Sequence, residues 1–430
     1  MRVLVLGAYG LIGTAITQKL LVHGHAVTGL GRSATRGKHA APQAQWIAAD
    51  ISAHITPESW LPLLSGIDAV VNAAGLLQNG LHDNVARVQR DAITALIRAC
   101  ETSGIKAFIQ ISAPDAKLTS DTEFFRTKAE ADKALQKSQL DWTILRPGLV
   151  LSPHAYGGTS LIRRLAAMPV IQAVMLGDAK IQTVHVQDVA NAVLFALEHQ
   201  LSGVDAALVE DSPHTLKSLT LDVREWLGFG APVATVSVPL FLGRGLARAA
   251  DLAGYLGWRS ALRTTSLKVL AAGVLGDAKA WPALTGQTVR TLDQSLRDLP
   301  STLQERLHAR AMFLFPGLLL TLSLFWIASG VIGLLRQDEA LAVIDGTLPA
   351  SVGKPIVLAG GVMDILIGLA LLFRPAVRFA CLAAVLLSLA YLAGSALVAP
   401  QLWADPLGPM VKVFPAIALA VIVAALSEER

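Results

Sequence analysis

From Ala311 to Leu335 the chain reads AMFLFPGLLLTLSLFWIASGVIGLL, 25 residues without a charged side chain. A backbone that must satisfy its own hydrogen bonds in hydrocarbon has few options, and a helix of about 20 apolar residues is the simplest. Three further runs follow: PIVLAGGVMDILIGLALLF (355–373), FACLAAVLLSLAYLAGSALVA (379–399) and the shorter PMVKVFPAIALAVIVAAL (409–426), with Lys412 near its start. Helices this apolar would need burial on every face to be water-soluble. Four spans are therefore expected, forming an all-α transmembrane four-helix bundle over 309–430. The composition agrees: 53% of residues are hydrophobic and 16% charged, with a mean hydropathy of +0.52. A net charge of +4 is too small to argue for nucleic acid as a partner.

Four spans put both ends of the bundle on one side. Arg306, Arg310, Arg374, Arg378 and Arg430 then share the N-terminal side; Arg336, Lys354 and Lys412 fall opposite, with Asp338, Glu339, Asp345 and Asp405. The modest positive bias places the N-terminal domain on the cytoplasmic side of a multi-pass cell-membrane protein. The opening MRVLVLGAYG has too short an apolar run for a secretory leader and reads as a strand. Cys100 and Cys381 lie far apart in apolar helical patterns and read as buried small hydrophobes rather than as a disulfide.

Residues 1–150 alternate strand-like runs (RVLVLG, AVTGLG, AQWIAA, DAVVNAAG, KAFIQIS, WTILRPG) with helical ones such as DAITALIRACETSG. Such alternation predicts an α/β fold with a doubly wound parallel sheet. Residues 151–300 are less regular and suit a substrate lobe. Within 239–275, Arg244, Arg248, Arg259, Arg263 and Lys268 stand against the single acid Asp251, among Leu, Phe, Tyr255 and Trp258. Two readings stay open there: a helix pair lying on anionic headgroups, or a solvated helical face covering the lobe.

The most informative chemistry is in VLVLGAYGLIGTAITQKLLV. The apolar strand Val3–Leu6 runs into Gly7, Gly10 and Gly13, then a helical run. The first glycine allows a tight turn, the second lets backbone approach a pyrophosphate, and the third lets helix pack on strand. The helix N-terminus supplies free N–H groups. Tyr9, Leu11 and Ile12 join the glycines as expected cofactor contacts. After the second strand, Gly29-Leu30-Gly31-Arg32-Ser33 offers no carboxylate for a ribose 2′-hydroxyl. Arg32 suits a 2′-phosphate instead, which favours NADP(H) and leaves NAD open. Asp50-Ile51 suits the adenine, and Asn72-Ala73-Ala74-Gly75 lets backbone pass close to the cofactor. His23-Gly24-His25 stands without further ligands nearby, and no metal is expected.

Taken in order, the glycine triad, Asp50, NAAG, ISA around Ser112, Lys128, ILRPG (144–148) and VHVQDVANAV (184–193) resemble the short-chain dehydrogenase/reductase superfamily, in its extended or atypical branch, over roughly residues 1–230. The likeness is strongest to atypical NAD(P)-binding proteins, which include a nucleotide-binding accessory subunit of respiratory complex I. The C-terminal third resembles the DoxX-like membrane family. Three regions are thus expected: an NAD(P)-binding Rossmann domain (1–230, core sheet 1–150), a helical extension (231–308), and the membrane domain (309–430). The resemblance implies that Ser112 bonds a substrate carbonyl and that Lys128 binds the nicotinamide ribose. It also implies that Pro147 and Gly148 shape the loop beside the nicotinamide, and it leaves His185 and Asp188 structural.

One departure matters. The family's Tyr-x-x-x-Lys helix appears here as EFFRTKAEADKAL, with Phe124 in place of the tyrosine. A phenol one turn before a lysine shares its helix face and gives a proton to a reduced carbonyl; a phenyl ring cannot. Of the four tyrosines, Tyr9 lies in the phosphate loop, Tyr255 and Tyr391 are remote in sequence, and Tyr156 sits in the loop after the sixth strand. Arg126, Asp115 and His154 are weaker donors. Two functions therefore stand: a membrane-anchored NADP(H)-dependent oxidoreductase acting on a lipophilic substrate, a quinone or lipid carbonyl, or a non-catalytic NAD(P)H-binding sensor or assembly protein. In the second apolar run, Asp364 reads as a buried carboxylate, structural or handling protons or quinone, with Lys412 as its partner if the fourth helix packs nearby. Oligomeric state is open.

Overall fold

The computed structural model describes residues 1–81, 83–258, 260–344 and 347–427. The expectations placed on Arg259, Asp345 and Arg430 lie outside the described residues. The chain divides into two compact units, one of Met1–Leu252 with Arg259–Arg306, the other of Ala253–Trp258 with Leu307–Arg430.

In the first unit, the six sequence-read strands form as β1 (Arg2–Leu6), β2 (Ala26–Gly31), β3 (Gln45–Ala48), β4 (Ala69–Asn72), β5 (Ala107–Ile111) and β6 (Asp141–Pro147). A seventh, Val204–Leu208, was hidden in the irregular stretch and pairs with β6. All neighbours run parallel, in the order Val204–Leu208, β6, β5, β4, β1, β2, β3. Strand periodicity sorts the core into two layers. Val3 and Val5 face one side, with Ile16 and Leu20 of helix α1 (Leu11–Val22) and Val189 and Val193 of helix Val186–Glu198. Leu4 and Leu6 face the other, against Trp60, Leu96 and Leu135. Those three come from α3 (Pro57–Leu64), α4 (Ala92–Thr102) and α5 (Glu123–Gln136); the remaining short helix, α2 (Ala34–Ala40), follows β2. The order reverses between β1 and β4, and a doubly wound sheet binds its ligand beyond the carboxyl ends of the strands at that switch point.

Later segments build a second lobe from short strand pairs, Leu149–Leu151 with Thr183–His185 and Ile171–Val174 with Ala234–Ser237. Its centre is the buried Glu210 carboxylate. That carboxylate accepts from Thr183 N (2.9 Å), Thr183 Oγ1 (2.6 Å) and Leu292 N (2.7 Å), and meets His214 Nε2 at 3.1 Å. His185 caps helix Val186–Glu198, its Nδ1 accepting from Gln187 N, while Arg290 pairs with Asp188 at 3.1 Å. Both residues thus have structural bonds, as expected of them.

Among the described residues, three helices are long and apolar enough to cross a membrane: Leu303–Leu335, Ala350–Leu372 and Arg374–Val398, each with mean hydropathy 2.2. The fourth expected span is shorter than read. Helix Val413–Leu426 has 14 residues, about 21 Å at 1.5 Å per residue against a hydrocarbon core of about 30 Å. Residues 409–412, counted in that span, form a turn instead, and Lys412 serves as the helix N-cap. Glycine notches seat the first two long helices on each other. A Cβ on Gly330 would strike the Gly361 carbonyl oxygen, and one on Gly368 would lie 2.8 Å from the Ser323 carbonyl oxygen, the small-residue contact that membrane helices favour. Buried Asp364 accepts from Tyr391 Oη at 2.7 Å and Ser329 Oγ at 2.8 Å. Among the described residues its partners are these neutral hydroxyls; Lys412, expected as a partner if the fourth helix packed nearby, is exposed.

Candidate functional site

The turn after β1 has the geometry a dinucleotide needs. Gly7 takes φ +68°, and a Cβ there would sit 3.0 Å from Ala74 Cα. A Cβ on Gly13 would collide with the Gly7 carbonyl oxygen. Gly10 is the N-cap of α1 and offers no side-chain cap. The first intrahelical bond is Thr14 N to Gly10 O, 3.0 Å. The amides of Leu11, Ile12 and Gly13 precede it, so the positive end of the helix is presented bare, as anion binding requires. These residues fit a pyrophosphate.

Beside the turn lies an aromatic floor that sequence reading missed. The Tyr9 ring packs on Gly31, where a Cβ would overlap it, and tilts against Trp46 at 6.0 Å between centroids. Trp46 in turn lies over Gly29, whose Cβ would meet the indole at 2.6 Å. The run Gly29-Leu30-Gly31 carried that signal: two glycines in one strand mark close approach by something large. Arg32, just beyond, pairs through Nη1 with Asp83 Oδ1 at 2.8 Å. Asp83 comes from the loop after β4, 51 residues away, and no local pattern announces it. Asp50 Oδ1 accepts from Ser52 N at 2.9 Å and Ser52 Oγ at 2.8 Å, capping the turn that begins at Ile51.

The loop after β4 is set by the buried side chain of Asn72, which donates to Gln110 Oε1 (2.8 Å) and accepts from Ala74 N (3.0 Å). This holds Ala73, Ala74 and Gly75 between the glycine turn and Lys128, whose Nζ would lie 3.6 Å from a Cβ on Gly75. The structure therefore brings Gly7, Ala73–Gly75 and Lys128 together. Gly148 does a different job: a Cβ there would come within 2.5 Å of the Gln182 carbonyl oxygen, so its smallness serves the crossing of the second lobe. Pro147 ends β6 opposite Leu208.

Helix α5 begins at the Thr122 N-cap, which accepts from Phe125 N, and buries Phe125, Lys128, Ala129, Asp132 and Leu135, a helical face of three- and four-residue spacings. Lys128 Nζ donates to Ile111 O at 2.8 Å and stands 5.9 Å from the centre of the Phe124 ring. Burial pushes the Lys128 ammonium down to about 8; Asp132 works against this and Arg146 with it. One turn on, Asp132 Oδ2 accepts from Ser112 Oγ at 2.5 Å and pairs with Arg146 Nη1 at 3.0 Å. Arg146 also forks onto Asp205, with bonds of 2.6 and 2.9 Å. Burial lifts the Asp132 carboxyl above its ordinary range, against the pull of Arg146. Breaking such a buried pair typically costs about 3–5 kcal/mol, so the cluster locks α5 to β5 and β6. Ser112, expected to face a substrate carbonyl, has its hydroxyl committed to this cluster. The residues missed here are Asp132, Arg146 and Asp205. Only Asp132 had a readable signal, its place one turn after Lys128.

The other proposed donors are exposed or held by local partners. Tyr156 is exposed, Arg126 Nη1 is held by Ser120 O at 2.8 Å, Asp115 pairs with Lys117 at 2.8 Å, and His154 is exposed.

Comparison with known proteins agrees with this geometry. Residues 7–200 match the NAD(P)H-binding family, and residues 323–421 match the DoxX-like family. The chain is 33% identical over 147 residues to the photosystem II assembly factor Ycf39 of Synechocystis sp., covering 34% of this chain and 44% of that protein. It is 28% identical over 137 residues to NADH dehydrogenase (ubiquinone) 1 alpha subcomplex subunit 9 of Arabidopsis thaliana mitochondria, covering 30% and 33%. It thus spans less than half the length of either relative. Among solved structures, gox2253 matches with TM-score 0.55 at 20% identity, covering 72% of this chain and 99% of that one. The Bordetella bronchiseptica enzyme WbmG, solved with NAD and UDP, matches with TM-score 0.51 at 15% identity, covering 73% and 94%. At those identities the likeness is one of fold. The chain joins an N-terminal NAD(P)H-binding domain with a Rossmann-like fold to a C-terminal DoxX-like domain.

Proposed function

We propose that the N-terminal domain binds NADP(H) and serves the reduction of a lipophilic acceptor, a quinone in preference to a lipid carbonyl. One observation carries this reading: Gly7 and Ala73–Gly75 lie beside Lys128, yet the side chain one turn before that lysine is a phenyl ring. When bound, the cofactor supplies hydride. Gly7, Gly10 and the amides of Leu11–Gly13 would hold its pyrophosphate, Arg32 its 2′-phosphate, and Lys128 its nicotinamide ribose. Phe124, half-buried and tilted against the buried Phe125 ring at 5.1 Å between centroids, offers apolar surface and no proton. A carbonyl reduced at carbon leaves a strongly basic alkoxide that needs an acid in place. A reduced quinone leaves a phenolate whose pKa is near that of tyrosine, about 10, and water can protonate it. Three apolar helices in the same chain suit an acceptor dissolved in lipid, and the arginine bias read from sequence supports a cytoplasmic N-terminal domain.

A second reading has its own support. The likeness to a photosystem assembly factor and to a subunit of NADH dehydrogenase, with Phe124 in the donor position, favours a non-catalytic NAD(P)H-binding protein that assists assembly. Turnover separates the two. In lipid nanodiscs, the purified full chain should oxidise NADPH with a short-chain ubiquinone analogue at least about tenfold faster than with an aliphatic ketone. Cofactor that binds but stays unoxidised with every quinone tried would exclude the oxidoreductase and leave the assembly reading.

A further inference from the structure

Helix Leu240–Tyr255 is turned the wrong way for a soluble domain. The stripe it packs inward consists of small residues: Gly243, where a Cβ would overlap Met175, and Ala247, which is 1% exposed. Its large apolar side chains point out: Phe241 is 70% exposed, Leu252 69%, and Leu242 and Leu246 54% each. At 3.6 residues per turn, positions 241, 245, 249 and 252 share one face and 242 and 246 lie beside it. Gly245 and Ala249 leave that stripe smooth between the bulky side chains. Arg244 and Arg248, four residues apart, fall along one border of the stripe. Among the described residues neither has an ion-pair partner, whereas the helix's one acid, Asp251, is held by Arg263 at 2.9 Å and by Thr264. The strand that leads into the helix, Ala234–Ser237, adds the exposed Val236.

We propose that this helix is an in-plane membrane anchor: Phe241, Leu242, Leu246 and Leu252 enter the acyl boundary of an anionic phospholipid surface, and Arg244 and Arg248 meet its phosphates. Apolar residues facing out with a cationic border are what distinguish an interfacial helix from one that covers a protein core. The occupant is lipid rather than protein because the charge left unpaired is cationic, and because the described residues include three helices fit to cross a bilayer, which brings lipid to the chain. The anchor stands apart from the cofactor chemistry, so it holds or fails whichever way turnover is decided.

Spin-label accessibility tests it in the full chain. Cys100 and Cys381 are both buried; with each replaced by alanine, single cysteines at Phe241, Leu246 and, as a water-facing control, Val22 carry the label. The protein is placed in nanodiscs of phosphatidylcholine mixed with phosphatidylglycerol. Labels at 241 and 246 should be rich in oxygen contact and at least about threefold poorer in contact with a water-soluble nickel complex than the label at 22. Replacing the anionic lipid with phosphatidylcholine, or Arg244 and Arg248 with glutamine, should narrow that difference. Labels at 241 and 246 as open to nickel as the one at 22 would overturn the proposal. Labels shielded from both reagents would overturn it too, and would mark the face as covered by a second copy or another part of this chain.

Discussion

Replacing Gly13 with valine should lower NADPH affinity by at least about 100-fold, about 2.8 kcal/mol. The residue has no room for any side chain: its Cβ would lie on the Gly7 carbonyl oxygen, with Ala8 Cα at 2.9 Å. These are backbone atoms of the turn itself, so relief comes only by lifting the start of α1 away from β1. The amides of Leu11, Ile12 and Gly13 would then no longer converge on one point, and they are what the pyrophosphate is expected to bind. Gly10 gives the internal comparison. A Cβ there meets only the Gly7 carbonyl oxygen, at 3.0 Å, a contact a small shift relieves. Gly10→Ala should therefore cost much less than Gly13→Val. Fluorescence titration of NADPH onto the full chain in detergent reads both. A Gly13→Val variant that binds within threefold of the parent would show that the turn is not the cofactor seat.

Phe124→Tyr should raise NADPH-dependent reduction of an aliphatic or aromatic carbonyl by about 10²-fold, the lower end of what a general acid contributes. The geometry is favourable in one respect and poor in another. The ring is half-buried, so a hydroxyl can be added without overpacking, and Lys128 Nζ already stands 5.9 Å from its centre. A cation so placed favours the phenolate and brings a phenol toward working pH. Against this, the Ser112 hydroxyl is committed to Asp132 at 2.5 Å and also lies 3.3 Å from Arg146 Nη1, and so does not share the orientation of the carbonyl. A Phe124→Tyr/Lys128→Met double variant should lose the gain. If the single variant reduces no carbonyl faster than the parent, the site lacks more than its acid.

How much of this was legible in the sequence follows from the range of each interaction. The glycine turn, β1 to β6 and the Lys128 helix could be read because strand periodicity, glycine spacing and the four-residue helical repeat are local. The strand Val204–Leu208 escaped because its partner β6 lies some 60 residues earlier and its own five residues are too few to announce a sheet edge. The arrangement Asp132–Arg146–Asp205 is built from three distant segments and shows itself only once they are folded together. Arg32 was legible as the residue that follows β2, but its counter-charge, Asp83, comes from the loop after β4. In the membrane unit, apolar run length found the helices but overstated the last one, because a hydropathy pattern does not see that 409–412 turns before the helix begins. Asp364 was legible as a buried carboxylate; its partners, Ser329 and Tyr391, depended on which helices pack together.

The Arg32 guanidinium, which would receive a 2′-phosphate, holds Asp83 at 2.8 Å, and cofactor choice turns on whether it exchanges one for the other. Calorimetric titration of NADPH and NADH onto the parent chain and onto Arg32→Ala decides it. The parent should take one NADPH per chain and prefer it to NADH by at least about tenfold, about 1.4 kcal/mol, and Arg32→Ala should bring the two cofactors to similar affinities. Equal binding of both cofactors by the parent, or an equal loss of both in Arg32→Ala, would contradict the assignment of this domain to NADP(H).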